Sequence, residues 1–105
     1  MTHPVDLHVT CPDEATAEAI ARAAIAARLA ACANLQGPVK SLFHWEGAVD
    51  SGTEWALAFK TRDACAQRLV ALIRAEHPYD LPAITWTRVQ ADADTAAWIA
   101  TETGG

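Results

Sequence analysis

The segment Glu54-Trp-Ala-Leu-Ala-Phe-Lys-Thr61 alternates its side chains with the two-residue period of a β-strand that buries one face. Its larger apolar residues all fall on one side: Trp55, Leu57 and Phe59. From about Asp63 to Glu76 the pattern changes to helical spacing, with an apolar stripe at Ala66, Leu69, Val70 and Ile73. The two segments together predict a strand that leads directly into a helix, with Asp63 as the N-cap.

Upstream of this pair, the sequence predicts a second strand and a second helix. Residues 5–11 alternate in the same way, with Val5, Leu7, Val9 and Cys11 on the buried face. Asp13 is a suitable N-cap for a helix that runs to about Ala31. This helix is rich in alanine, and a face of small side chains allows a helix to lie close to a sheet.

The remaining segments complete a six-element pattern with one additional helix. Residues 32–46 are extended, with a turn or bulge at Gly37-Pro38, and Gly47 and Ser51-Gly52 are expected to form the hairpin connection. A fourth strand is predicted at residues 84–90 and a short helix at residues 93–101. The order βαββαβ predicts an α+β, ferredoxin-like fold, with both helices on one face of an antiparallel sheet and an extra C-terminal helix.

Size and composition exclude several classes of protein. The 105 residues are enough for one domain, spanning 1–105. The net charge of -5 argues against a nucleic-acid binder, and no apolar run is long enough to cross a membrane. The N-terminus has no basic segment followed by an apolar block, and the three cysteines include no C-x-x-C pair. We therefore expect a cytoplasmic protein with reduced thiols.

The open face of the predicted sheet favours self-association. It should carry His8, Ala56, Ala58 and Lys60, whose small or polar side chains allow another surface to approach. The long second strand, which ends in Phe43-His-Trp45, is suited to reach beyond one subunit. We therefore expect an oligomer; the alternative is a monomer with a half-polar, solvated sheet face.

A rigid connection follows the second predicted helix at His77-Pro-Tyr-Asp-Leu-Pro82. The two prolines fix their own φ and keep the residues before them out of the helical region. The backbone therefore presents His77, Tyr79 and Asp80 together, as a rim around something small, and we group Lys60 and Arg62 with Tyr79 and Asp80 as possible ligand or rim residues.

These segments, taken in order, resemble the CutA family of divalent-cation tolerance proteins. The resemblance covers nearly the whole chain and rests on these pieces: Thr10-Cys-Pro12, Leu29-Ala-Ala-Cys32 with Asn34, Val39-Lys-Ser41, Trp45-Glu-Gly47, Lys60-Thr-Arg62, His77–Pro82 and Trp98-Ile99. It implies a ferredoxin-like homotrimer similar in architecture to the PII signalling proteins. It also implies tolerance to divalent metals, especially copper, with metal binding in some members.

The chain departs from the family pattern near the rim and in the last strand. Ala83 stands where a Glu usually follows the second proline, and Phe43 where a Tyr is common. Thr95 replaces a frequent Tyr, and Ala91 replaces a Gly. The strand that includes Arg88 lacks the usual apolar run and its proline.

Metal binding is the first chemistry to consider, and the resemblance points to Cys11 and His77. Cys11 matches a position where some members carry a metal-binding Cys, whereas Cys32 should lie at the opposite end of the domain. Thiolate suits reduced copper, and imidazole suits oxidised copper or zinc. The alternatives are a buried apolar role for Cys11 and a structural role for His77 in holding the turn.

Two other classes of function remain open. Lys60 and Arg62 sit at a strand-to-helix junction and, with Lys40 and Arg88, offer charge for a small anion or nucleotide. They would otherwise pair with carboxylates in the assembly, leaving a trimeric scaffold. No spacing demands a catalytic triad, and no phosphate loop is present, so we do not expect an enzyme.

Overall fold

The computed structural model describes residues 3–104, with the N-terminal strand in the middle of the sheet. The four antiparallel strands have the order β2-β3-β1-β4. The elements are β1 (Pro4–Cys11), α1 (Glu14–Ala26), β2 (Cys32–Trp45), β3 (Ala48–Arg62), α2 (Asp63–Glu76), β4 (Thr85–Arg88) and α3 (Ala93–Glu102). This topology confirms the predicted α+β, ferredoxin-like fold with an additional C-terminal helix.

The core lies between one face of the sheet and the two long helices. Leu7, Val9, Leu57 and Phe59 are almost completely buried there, as the alternation predicted. The helices contribute these residues to the same cluster: Ala17, Ile20, Ala21 and Ala24 from α1, and Leu69 and Ile73 from α2. Three of the four buried residues of α1 are alanines, so this helix can lie close to the sheet.

Helix α1 starts as predicted but is shorter than predicted. Asp13 is the N-cap, and its Oδ1 accepts a hydrogen bond of 2.8 Å from the Thr16 amide. The helix ends at Ala26 rather than near Ala31, because Arg28 adopts a left-handed conformation with φ of 58°. The Leu29 amide then donates to the Ala24 carbonyl, a pattern that terminates helices.

Helix α2 has no side-chain cap, contrary to the prediction for Asp63. Arg62 occupies the N-cap position, and Asp63 is the first helical residue. The Asp63 carboxylate instead accepts a hydrogen bond from the His3 amide and pairs with Arg88 Nη2 at 3.1 Å. Asp63 thus connects the start of α2 to the start of β1 and to the end of β4, which are neighbours in the sheet.

The hairpin between β2 and β3 is longer than the sequence suggested. The chain turns at Glu46-Gly47, both with positive φ (51° and 81°), as two-residue hairpin turns of type I′ require. Ser51-Gly52 lies inside β3 rather than in the connection, so the hairpin extends as an arm, residues 40–53. The longest dimension of the described chain is 44 Å, against 24 and 22 Å across it.

The predicted irregularity at Gly37-Pro38 is confirmed as a register shift between Gln36 and Val39. Within the described chain, no helix is long and apolar enough to cross a membrane.

Gly37 and Gly52 provide a matched test of packing in the hairpin. A Cβ on Gly37 would lie 2.6 Å from Cδ2 of Trp55 and 2.9 Å from its Cγ, too close without moving the indole. A Cβ on Gly52 would meet nothing within 4 Å. We expect Gly37→Ala to lower the free energy of unfolding by about 1–3 kcal/mol, measured by denaturant titration at fixed protein concentration.

Gly52→Ala is the control, since it makes the same chemical change in open space. Equal stabilities of the two variants would contradict the close approach of Trp55 to the bulge.

Candidate functional site

The candidate site is built where the connection from α2 to β4 meets the end of β1. Helix α2 ends at Glu76, and His77 follows in an extended conformation. The His77 ring reaches the end of β1, where Nε2 lies 2.8 Å from the Thr10 carbonyl oxygen. His77 is 7% exposed, so this contact is largely shielded from water.

Both ring nitrogens of His77 have a hydrogen-bond partner. The Tyr79 amide donates to Nδ1 at 3.1 Å, so Nδ1 is an acceptor. In the neutral ring the proton must then sit on Nε2, which donates to the Thr10 carbonyl. The structural role considered for His77 is therefore present: the imidazole closes the turn and attaches it to the sheet.

Tyr79 extends the network across the sheet to a carboxylate. Its ring lies against that of His77, with centroids 4.6 Å apart, and its hydroxyl donates to Oε2 of Glu54 at 3.0 Å. Burial, followed by the hydrogen bond and negative charge of Glu54, raises the pKa of Tyr79 to about 12. The phenol therefore remains a hydrogen-bond donor at neutral pH.

Glu54 is a site residue that sequence reasoning missed. It lies on the open face of β3, where a charged residue is usually solvated, yet it is only 8% exposed. The alternation of β3 predicted its face correctly. The signal that was available is a carboxylate in a row with Ala56 and Ala58, whose small side chains leave room for Tyr79 to reach Glu54.

Cys11 lies beside this network, with its side chain on the core face. It ends β1 opposite Trp55 and is completely buried. Burial raises the pKa of the Cys11 thiol to about 11, and the negative charges of Glu54 and Asp13 add to the rise. The thiol is consequently protonated at neutral pH and lies in a region of negative potential.

The other two cysteines occupy different surroundings. Cys32 pairs with Lys60 on β3, whereas Cys11 pairs with Trp55, so five residues, or about 17 Å, separate the two along the strand. The two thiols thus lie far apart, as the sequence predicted. Cys65 is buried in α2 with Arg68 Nη2 at 3.7 Å from its sulfur.

The described residues contain no group of three or more His, Cys, Asp or Glu side chains arranged to hold a metal ion. Cys11 and His77 come close through the adjacent Thr10, but one is a protonated thiol and the other uses both ring nitrogens. Metal binding by this pair stays a prediction.

Lys60 and Arg62 lie away from Tyr79 and Asp80, so the structure separates the residues grouped in the predicted rim. Lys60 Nζ is 3.6 Å from the Asp6 carboxylate. Arg62 donates to the Thr103 hydroxyl at 2.8 Å and to its carbonyl at 3.0 Å. Both cations lie near the start of β1, whereas His77, which contacts Tyr79, is bonded to its end.

Two adjoining cavities lie between the hairpin arm and the connection that carries Tyr79. The smaller one, of about 290 Å³, is lined by Phe43, Trp45, Tyr79, Asp80 and Leu81. The larger one, of about 400 Å³, shares several of these residues and adds Thr10, Glu54 and Ala83. Ala83 thus lines the same cavity as Glu54. The family pattern has a Glu at the position of Ala83, so this chain lacks the second carboxylate that was expected there.

The Tyr79–Glu54 hydrogen bond is expected to stabilise the site. In Tyr79→Phe, the nearly buried Glu54 loses its donor, which should lower the free energy of unfolding by about 1–3 kcal/mol. Glu54→Gln and the double variant complete a double-mutant cycle, measured by denaturant unfolding at fixed protein concentration. Additive effects of the two substitutions would contradict the direct bond.

Sequence comparisons relate this chain to known proteins. The sequence model described as "CutA1 divalent ion tolerance protein" matches residues 6–102. "Divalent-cation tolerance protein CutA" of Salmonella newport is 36% identical over 91 residues, covering 86% of this chain and 79% of that protein. "Protein CutA homolog" of Danio rerio is 41% identical over 78 residues, covering 74% of this chain and 52% of that protein. The chain thus spans about half the length of the vertebrate relative.

Solved structures agree with the sequence comparisons. The CutA1 divalent ion tolerance protein of Ehrlichia chaffeensis superposes with a TM-score of 0.92 at 31% identity, covering 98% of this chain and 97% of that one. The Archaeoglobus fulgidus protein, described as a periplasmic divalent cation tolerance protein, also gives 0.92 at 31% identity, with 95% and 98% covered. The chain therefore belongs to the CutA1 divalent ion tolerance protein family.

Proposed function

We propose that this chain supports tolerance to divalent metal ions, above all copper, as a cytoplasmic homotrimer that binds metal weakly at the end of β1. The observation that carries the proposal is the acidic surroundings of Cys11. Its thiol feels the negative charges of Glu54 and Asp13, and His77 is attached to the preceding residue. A soft thiolate with an imidazole and a carboxylate nearby is a donor set that copper and zinc accept.

Among the three thiols, the electrostatics favour Cys11. Cys65 has the Arg68 guanidinium 3.7 Å from its sulfur, and Cys32 pairs across the sheet with Lys60. A positive neighbour repels a metal cation, whereas the carboxylates near Cys11 attract it.

The same features predict weak binding. The Cys11 pKa of about 11 lies about four units above neutral pH, so only about one thiol in ten thousand is ionised before metal arrives. His77 must also give up its bond to Thr10 or to Tyr79 before a ring nitrogen is free to bind. Metal must displace a proton and a hydrogen bond, and both lower the affinity.

We propose a trimer because the hairpin arm exposes apolar side chains, and contact of these side chains with water would be unfavourable in a monomer. Leu42, Trp45 and Val49 on the arm are each more than half exposed. Ala56 and Ala58 on the open face offer little obstruction to a neighbouring subunit. Apolar area of this kind is typical of surfaces that pack in an assembly.

The alternatives are a PII-like module for small anions or nucleotides and a trimeric scaffold with no metal role. An anion would have to compete with Asp6 for Lys60 and with Thr103 for Arg62. A non-catalytic role is favoured because nucleophilic cysteines have lowered pKa values, and that of Cys11 is raised. The cytoplasmic location is supported by three cysteines that are free of disulfides.

Metal titration tests the site. Reduced copper and zinc are titrated anaerobically into the wild type, Cys11→Ser and His77→Ala, with affinity measured by competition with a chelator. We expect both substitutions to weaken binding about tenfold or more. Wild-type affinity should rise about tenfold per pH unit between pH 6 and 8, because binding releases the Cys11 proton.

Cys65→Ser is the matched control, since it removes an equally buried thiol beside a positive charge. Unchanged stoichiometry and affinity in Cys11→Ser would remove the site assignment. Stabilisation by nucleotides or organic acids, with no effect of either metal, would favour the PII-like alternative.

Assembly is tested by light scattering after size exclusion. We expect a mass of three times the 11.2 kDa of the chain. Trp45→Glu, which places charge on the exposed apolar arm, should shift the distribution towards smaller species, and Trp98→Glu on α3 is the control at similar exposure. A wild-type mass equal to one chain would refute the trimer.

A further inference from the structure

The two ring nitrogens of His77 are not equivalent as metal ligands. Nδ1 carries a lone pair and accepts from the Tyr79 amide at 3.1 Å, whereas Nε2 carries the proton and lies 2.8 Å from the Thr10 carbonyl oxygen. The metal role proposed above for Cys11 and His77, on which this inference rests, needs one of these nitrogens. The hydrogen bonds that each would give up differ, and the difference identifies the ligand atom.

Binding through Nε2 would cost both hydrogen bonds of the ring. In a neutral imidazole, freeing the Nε2 lone pair places the proton on Nδ1. Nδ1 would then face the Tyr79 N–H, one donor against another, and the Thr10 carbonyl would lose its donor. Because His77 is only 7% exposed, water is poorly placed to compensate either loss.

Binding through Nδ1 costs only the bond to the Tyr79 amide. The ring keeps its present tautomer, and Nε2–H continues to donate to the Thr10 carbonyl. A metal-binding histidine usually donates its second ring N–H to a carbonyl or carboxylate in this way, which fixes the orientation of the ring. Nδ1 is therefore the ligand atom that the hydrogen bonds favour.

The group that occupies Nδ1 is held there by its own side chain. The Tyr79 ring lies against the His77 ring, with centroids 4.6 Å apart, and the Tyr79 hydroxyl donates to Glu54 Oε2 at 3.0 Å. Glu54 belongs to β3, so this bond fixes residue 79 to the sheet. All of these contacts lie within one chain, and none of them requires a free surface on the hairpin arm.

We propose that Tyr79 is a gate on the metal site: its amide closes Nδ1 of His77, its hydroxyl bond to Glu54 keeps the amide in place, and Nδ1 becomes a ligand only when residue 79 moves away. His77 keeps its bond to Thr10 throughout. Opening also frees the Glu54 carboxylate, whose charge acts on the Cys11 thiol. Tyr79 is thus a positioning residue that acts through His77.

Tyr79→Phe tests the gate because it removes the hydroxyl bond and keeps the ring. Zinc affinity is measured anaerobically by competition with a chelator, on samples whose masses by light scattering are equal. We expect Tyr79→Phe to bind zinc about threefold to tenfold more tightly than the wild type, since a competitor for Nδ1 has lost one hydrogen bond. The same substitution is expected to lower stability, so affinity and stability should change in opposite directions.

Thr61→Val is the matched control. It also removes a hydroxyl that donates a single hydrogen bond, here 2.7 Å long and directed to the Leu29 carbonyl. Thr61 is completely buried and pairs with Val5, at the other end of β1 from Thr10. Its zinc affinity should equal that of the wild type.

Nuclear magnetic resonance of the wild-type protein identifies the ligand atom directly. On addition of zinc, we expect the His77 Nε2–H signal to persist and the Tyr79 amide to exchange faster with deuterium. The His77 amide, which donates to the Ile73 carbonyl at 2.8 Å, is the internal control and should keep its exchange rate.

The possible failures are distinguishable. If Cys11→Ser and His77→Ala bind zinc as the wild type does, the proposed metal site is wrong and the gate falls with it. If those two variants lose affinity but Tyr79→Phe gains none, the gate alone is wrong. An equal gain in Thr61→Val would also refute it, as would loss of the Nε2–H signal with an unchanged Tyr79 amide, which would make Nε2 the ligand.

Discussion

The hydrogen bond from His77 to the Thr10 carbonyl is the contact on which the geometry of the site depends. It joins the residue after α2 to the end of the central strand, two positions 67 residues apart in sequence. Pro78 and Pro82 restrict the backbone of the segment from His77 to Pro82. Fixing the position of His77 therefore also fixes the course of the residues after it. Tyr79 can then reach across the sheet to Glu54, and Asp80 and Leu81 take their places on the wall facing the arm.

The contacts that organise the site also reduce its reactivity. A histidine with both nitrogens engaged, a phenol with a pKa near 12 and a thiol with a pKa near 11 are all in their neutral, hydrogen-bonded or buried forms. Each group must therefore be released from a hydrogen bond or ionised before it can bind a ligand or react.

The fold was largely predictable because alternation and helical spacing are local properties of the chain. Leu57 and Phe59 were assigned to the core from their period alone, and they are buried. The local sequence pattern gave the wrong position for the hairpin turn. Ser51-Gly52 has the composition of a turn but lies in β3, where it pairs with β2. The end of α1 was missed because Arg28 adopts a positive φ that no residue type there announces.

The site was less predictable because it depends on register. Glu54 contacts Tyr79 because the connection after α2 folds back to Thr10 at the end of β1. Lys60 and Arg62 were grouped with Tyr79 by sequence motif, yet pairing of β1 with β3 sets them at the other end of the strand. No local pattern encodes such distances between segments.

The central place of β1 has a consequence for synthesis of the chain. β1 is synthesised before both of its neighbours, which are β3, ending at Arg62, and β4, starting only at Thr85. An apolar strand containing Val5, Leu7 and Val9 therefore waits with both edges open while most of the chain is made. The long hairpin, by contrast, joins two strands that are consecutive in sequence, β2 and β3. It can form from local contacts and then offer the free edge of β3 to β1.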